Sequence, residues 1–135
     1  SLLFCLLSLI LAPGLLVNSL LKQHWGRPRP YQTLDFGGSY FYQKIWVMGH
    51  HATSSCSFVC GHCSGAFAFI CLIPITPPRH RIWVCMAVFV YAILIGLARL
   101  AQGAHYLSDI MLAYCIDYIV ITALYWLVFR KKNTC

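Results

Sequence analysis

The chain alternates long apolar runs with short polar junctions, and not apolar with polar residues one by one. Four runs stand out, 1–21, 58–75, 82–98 and 106–129, with one long mixed segment, 22–57, between the first two. Each run is near the ~20 residues a helix needs to cross a ~30 Å hydrocarbon layer. A backbone in lipid has to satisfy its own hydrogen bonds, so runs of this length predict helices. The expected fold is all-α: a polytopic transmembrane helix bundle of four spans, forming a single domain over 1–135 in which 22–57 is the active-site loop. Pro13-Gly14 interrupts the first run and predicts a kink there. An N-terminal apolar run can also be a signal peptide, but this one has no initiator Met, no basic start and no small-x-small cleavage pattern. The Ser start points to upstream sequence.

Composition supports the membrane assignment. Of 135 residues 60% are hydrophobic and only 10% charged, well outside the range of soluble domains. The net charge of +7 would raise nucleic acid as a partner of a soluble protein. Here the basic residues sit at the ends of the runs, which excludes that reading and leaves the bilayer as the partner. If four spans alternate, Arg79, Arg81, Arg130, Lys131 and Lys132 lie on one side and Lys22, Arg27, Arg29, Lys44 and Arg99 on the other, a tie by bare count. The eight cysteines are scattered, several inside the runs, and resemble small packing residues more than a disulfide framework. Oligomeric state is not legible.

Three polar clusters stand at the ends of three runs, all on one side under that alternation. In "KQHWGRPRP" Lys22 closes the first run and Arg29-Pro30 follows. Proline restricts the residue before it, holding Arg29 extended so that its guanidinium can return toward Lys22; a point charge and a planar fork suit a phosphate. The same residues also suit plain interfacial anchoring. In "SFVCGHCS" a helix start exposes unpaired N–H groups, Gly61 permits close approach of an anion, and His62 stands beside it. In "ARLAQGAHYLSDI" His105 and Asp109 are four apart on one helix face. There the carboxylate can accept from one imidazole nitrogen and leave the other free to attack. A helix-start pair in which Asp answers the dipole is the plainer alternative.

Together the spacing, Lys22 with Arg29-Pro30, then Gly61-His62, then Arg99, His105 and Asp109, resembles the tripartite signature of the type 2 phosphatidic acid phosphatase superfamily. These are integral membrane lipid phosphatases related in fold to vanadium haloperoxidases. The resemblance implies that His105 is the nucleophile, forming a phosphohistidine, that Asp109 orients and polarises it, and that His62 is the general acid. Lys22, Arg29, Arg99 and the Gly61 N–H would clamp the phosphoryl oxygens, with Cys60 beside them. It implies a phosphate monoester or pyrophosphate on a lipid as substrate and no metal or other cofactor. Physically this fits, because phosphoryl transfer depends mainly on positioning and charge stabilisation. With the clamp residues set aside, the Arg79/Arg81 loop and the tail become cytoplasmic. An integral protein of a bacterial inner membrane with its site facing the periplasm, or a lumen, is then expected.

Two departures accompany the resemblance. Its second motif normally reads Pro-Ser-Gly-His, and here Val59-Cys60 replaces Pro-Ser. A cysteine at a helix start among basic groups is expected to have a lowered pKa, and its thiolate would repel the phosphate. Members usually have six spans, so two N-terminal spans are expected to be missing here. An inactive or weakly active lipid-phosphate-binding relative is therefore the first alternative. A thiol-redox protein using Cys60/Cys63, or a zinc site from Cys56, Cys60, His62 and Cys63 with His50 and His51, follows it. Asp117, eight residues past Asp109 and ~12 Å deeper in the last run, is expected to be protonated or hydrogen-bonded to a neighbouring helix, and not a proton relay.

Overall fold

The computed structural model describes residues 2–21, 24–49 and 56–130, the side chain of Arg130 excepted. Lys22, His50, His51, Lys131 and Lys132 lie outside the described residues. Four helices make the bundle: α1 Leu2–Leu21, α2 Gly61–Leu72, α3 Arg81–Ala101 and α4 Leu107–Arg130. No strand forms among the described residues, where the sole sheet-like pairing is an isolated bridge between Thr33 and Tyr40.

Three of the helices, α1, α3 and α4, are long and apolar enough to cross a membrane. The run 58–75, expected as a fourth span, instead gives the shorter α2 of 12 residues, about 18 Å of helix. Its start is set by the extended Cys60, whose sulfur accepts from the Cys63 N–H at 3.4 Å as an N-cap. From Ala68 onward the winding tightens to a 3₁₀ turn, and Pro74, Pro77 and Pro78 follow. Apolar composition therefore outran helix length here.

In α1 the winding is α over Leu2–Leu9 and π over Ile10–Leu21, with Pro13 inside. Pro13 has no N–H to give the preceding turn, and the wider coil engages its carbonyl through Asn18 Nδ2 at 2.7 Å. The interruption expected at Pro13-Gly14 is thus a change of pitch. Asn18 also explains one glycine: a Cβ on Gly61 would come within 2.3 Å of its Oδ1. The start of α2 seats against α1 through that missing side chain.

Helix α2 packs against the other three helices, and α4 runs alongside α1. One core cluster, with Val17, Val59, Cys60, Cys63, Ile110 and Ala113, lies under the site. A second, with Phe4, Ala12, Ala68, Cys71 and Ile121, fills the far end, where Phe4 meets Tyr125 and Phe129 edge-on. The end of α1, the start of α2, the end of α3 and the start of α4 therefore gather at one end, as strict alternation requires.

Candidate active site

The turn between α3 and α4 aims His105. Helix α3 ends in a Schellman pattern: Gly103, at φ +61°, donates to the Leu100 carbonyl, and the Ala104 N–H reaches Arg99 O. Gly103 is required there because its φ is left-handed. Its own carbonyl accepts from the Tyr31 N–H at 3.2 Å, which ties the 24–49 loop to this turn. On the other side, Asp109 sits in the first turn of α4 and its Oδ2 takes the Tyr106 N–H at 3.1 Å, one half of a capping box. His105 is held between these two fixed ends and is 2% exposed.

The expected bond from Asp109 to the His105 ring is not formed. His105 Nδ1 lies 2.6 Å from the Ser57 carbonyl, while the Ser57 hydroxyl donates to Asp109 Oδ2 at 2.6 Å. Ser57 bridges the two. A carbonyl oxygen only accepts, so Nδ1 is the donor in this contact, which in the neutral ring puts the lone pair on Nε2.

Arg27, one of the basic residues expected on the site's side but given no role in the clamp, occupies the position next to Asp109. It is 1% exposed, and its Nη1 pairs with Asp109 Oδ1 at 2.5 Å. It also gives Nε to Gln43 O at 3.0 Å and Nη1 to Ser108 Oγ at 3.2 Å, with its guanidinium 4.1 Å from the Tyr106 ring centroid. Gly26, at φ +61°, makes the turn that delivers it, and a Cβ there would strike the Gly49 carbonyl. Two Arg-Pro pairs occur in "GRPRP", and the pattern drew attention to the second; the buried one is the first.

Of the other predicted residues, Arg29 is half-buried at the start of the Pro30–Gln32 turn, and its backbone N–H reaches Gln32 Oε1 at 3.0 Å. Arg99 gives Nη1 to Gln102 Oε1 at 2.7 Å, and its buried Nε has no partner among the described residues. That orphan is what an oxyanion clamp in waiting would leave. His62 is exposed on the first turn of α2. Lys22 is outside the described residues.

Cys60 and Cys63 are buried free thiols with sulfurs 2.8 Å apart. Donation from Cys63 pulls the Cys60 thiol well below its ordinary range; burial opposes this and the neighbouring His105 adds to it. A depressed pKa means thiolate at neutral pH and thiol only on the acid side. Cys60→Ser keeps the cap and removes that charge from beside His105. It is expected to raise kcat/KM about tenfold at neutral pH, equivalent to about 1.4 kcal/mol, with the two proteins converging as pH falls. Phosphate release measured for both from neutral to acid pH checks this; parallel profiles would show that no thiolate opposes the reaction. Among the described residues no three His, Cys, Asp or Glu side chains converge as a metal site requires.

His105 lines an open cavity of about 750 Å³ together with Pro30, Tyr31, Phe36, Tyr42, Gln102 and Tyr106. One wall is thus aromatic and belongs to the loop, and the floor belongs to the α3–α4 turn.

The PAP2 superfamily profile matches residues 1–133. The chain is 35% identical over 134 residues to a lipid A 4'-phosphatase of Francisella tularensis subsp. novicida (strain U112), an overlap covering 96% of this chain and 59% of that protein. A lipid A 4'-phosphatase of Rhizobium leguminosarum is 40% identical over 117 residues, covering 87% and 50%. A lipid A 1-phosphatase of Rhizobium johnstonii is 35% identical over 113 residues, covering 82% and 42%. The chain spans roughly half the length of these relatives. No solved structure matches it significantly.

Proposed function

From the chain's membership of the PAP2 superfamily, we propose that it hydrolyses a lipid phosphate, with His105 Nε2 attacking phosphorus and a phosphohistidine released by water. The observation that carries this reading is the His105 Nδ1 contact with the Ser57 carbonyl, because it fixes the tautomer whose free nitrogen is a nucleophile. Asp109 acts on His105 through Ser57, and Arg27 compensates the buried carboxylate. Arg29, Arg99, Lys22 and the N–H groups at Cys60-Gly61 receive the phosphoryl oxygens, where fixed positive charge favours the transition state. His62 protonates the departing oxygen.

The substrate is a phosphorylated sugar lipid of the lipid A kind. The relatives' names support that choice, and so does the aromatic wall of Tyr31, Phe36, Tyr42 and Tyr106, since ring faces suit the C–H face of a sugar. The acyl chains stay in the bilayer beside α3, whose outer surface exposes Ile93, Leu94 and Leu97. The site faces the periplasm, with the Arg79/Arg81 junction cytoplasmic.

The test is inorganic phosphate release in detergent from lipid A, phosphatidic acid, phosphatidylglycerol phosphate and a polyprenyl pyrophosphate, with His105→Ala as the control. Lipid A is expected to be turned over fastest, with no turnover by the variant. Release that survives His105→Ala, or a preference for phosphatidic acid, would count against the nucleophile or the substrate respectively.

A further inference from the structure

A second serine–aspartate pair lies below the one at the site. Ser64 Oγ donates to Asp117 Oδ1 at 2.7 Å, just as Ser57 Oγ donates to Asp109 Oδ2 at 2.6 Å. All four residues are fully buried. Asp109 and Asp117 are both on α4, separated by about 12 Å along its axis. Ser57 precedes α2, and Ser64 lies on it, two residues beyond His62. The same two segments are therefore joined at two heights by the same chemistry.

The lower rung meets a need specific to α2. A helix that crosses the bilayer is set in depth by its ends at the two interfaces, and α2, at 12 residues, does not reach across. Nor does its surface give a strong register. Over its first eight residues the side chains apart from His62 and Phe67 are Gly, Cys, Ser and Ala, which present few knobs to a neighbouring groove. A carboxyl in apolar surroundings costs stability compared with an apolar residue of similar size, and its best-attested use is to specify one arrangement among several. Among the described residues Asp117 Oδ2 has no partner, so Ser64 is the contact through which Asp117 acts.

We propose that Asp117 is a positioning residue: through Ser64 it fixes the height and rotation of α2, and so aims His62 at the leaving group on the phosphorus that His105 attacks. This rests on the reading of His62 as general acid.

The test compares a lipid phosphate, whose alkoxide must be protonated as it leaves, with p-nitrophenyl phosphate, whose phenolate departs without a proton. His62→Gln is the reference and is expected to lower kcat about 10²-fold on the lipid and only a few-fold on the aryl ester. Asp117→Leu and Ser64→Ala should reproduce that selective loss with KM nearly unchanged. Asp117→Asn, which keeps an acceptor for Ser64, should stay within about threefold of wild type on both substrates, rotation rather than charge being at stake. Ser64→Ala removes a single oxygen and keeps the comparison available if Asp117→Leu does not fold. Selective loss in His62→Gln with equal losses on both substrates in Ser64→Ala and Asp117→Leu would overturn the positioning role alone. Equal losses in His62→Gln would overturn its role as acid, and the positioning role with it.

Discussion

His105→Ala is expected to lower phosphate release by at least about a thousandfold while the protein still folds. On the proposed mechanism the variant lacks the covalent nucleophile on which every later step depends, and the remaining cations would contribute only what charge and proximity supply. The fold should tolerate the change because the helices on either side are fixed by their own contacts, the Gly103 turn at the end of α3 and the Asp109 cap at the start of α4, and His105 itself lines the open cavity, where water can enter the space the ring leaves. The decisive measurement is a rapid acid-sensitive assay for phosphate covalently held on the protein. Wild type should carry it transiently and the variant not at all. A variant that still shows the bound phosphate would move the nucleophile elsewhere.

Arg27→Met is expected to cost about 3–5 kcal/mol of stability and most of the activity. The pair with Asp109 is 1% and 0% exposed, so water does not screen it. Removing the cation strands a carboxylate in the interior. Arg27→Lys should rescue little, because a lysine cannot at once reach Gln43 O, Ser108 Oγ and Asp109 while lying over the Tyr106 ring. The informative combination is Arg27→Met with Asp109→Asn. If the stranded charge is the cause, the double variant should be more stable than Arg27→Met alone, as measured by denaturant unfolding in detergent. A double variant with the two losses simply added would point instead to lost packing.

The helices, and the end of the bundle at which His62, Arg99, His105 and Asp109 stand, were legible from the sequence because they depend on local hydropathy and short spacings. The expected shared helix face did not form, because the last helix starts at Leu107 and leaves His105 in the turn before it, bridged to Asp109 by Ser57. The pairing of Asp109 was not legible. Its partners are Arg27, 82 residues away, and Ser57, 52 away, and nothing local distinguishes Arg27-Pro28 from Arg29-Pro30. The length of α2 was misjudged for a related reason. Hydropathy continues through Ile73 and Ile75, whereas the helix is bounded by the Cys60 cap and the prolines after Leu72. Asp117 was expected to bond a neighbouring helix, and it does; that the bond falls two residues from His62 emerges only in three dimensions.

The two ends of the loop over the cavity are bonded to each other as well as to the rest of the bundle. Trp25 Nε1 reaches Ile45 O at 2.7 Å and the Gly49 N–H reaches Trp25 O at 2.9 Å, cinching its two ends. Its far tip turns at Gly37, around which a side chain would meet nothing within 4 Å. Residues could thus be gained or lost at that apex while the neck, and the imidazole beneath it, keep their places. The outer rim of the cavity near Phe36 can then be reshaped independently of the turn that holds His105.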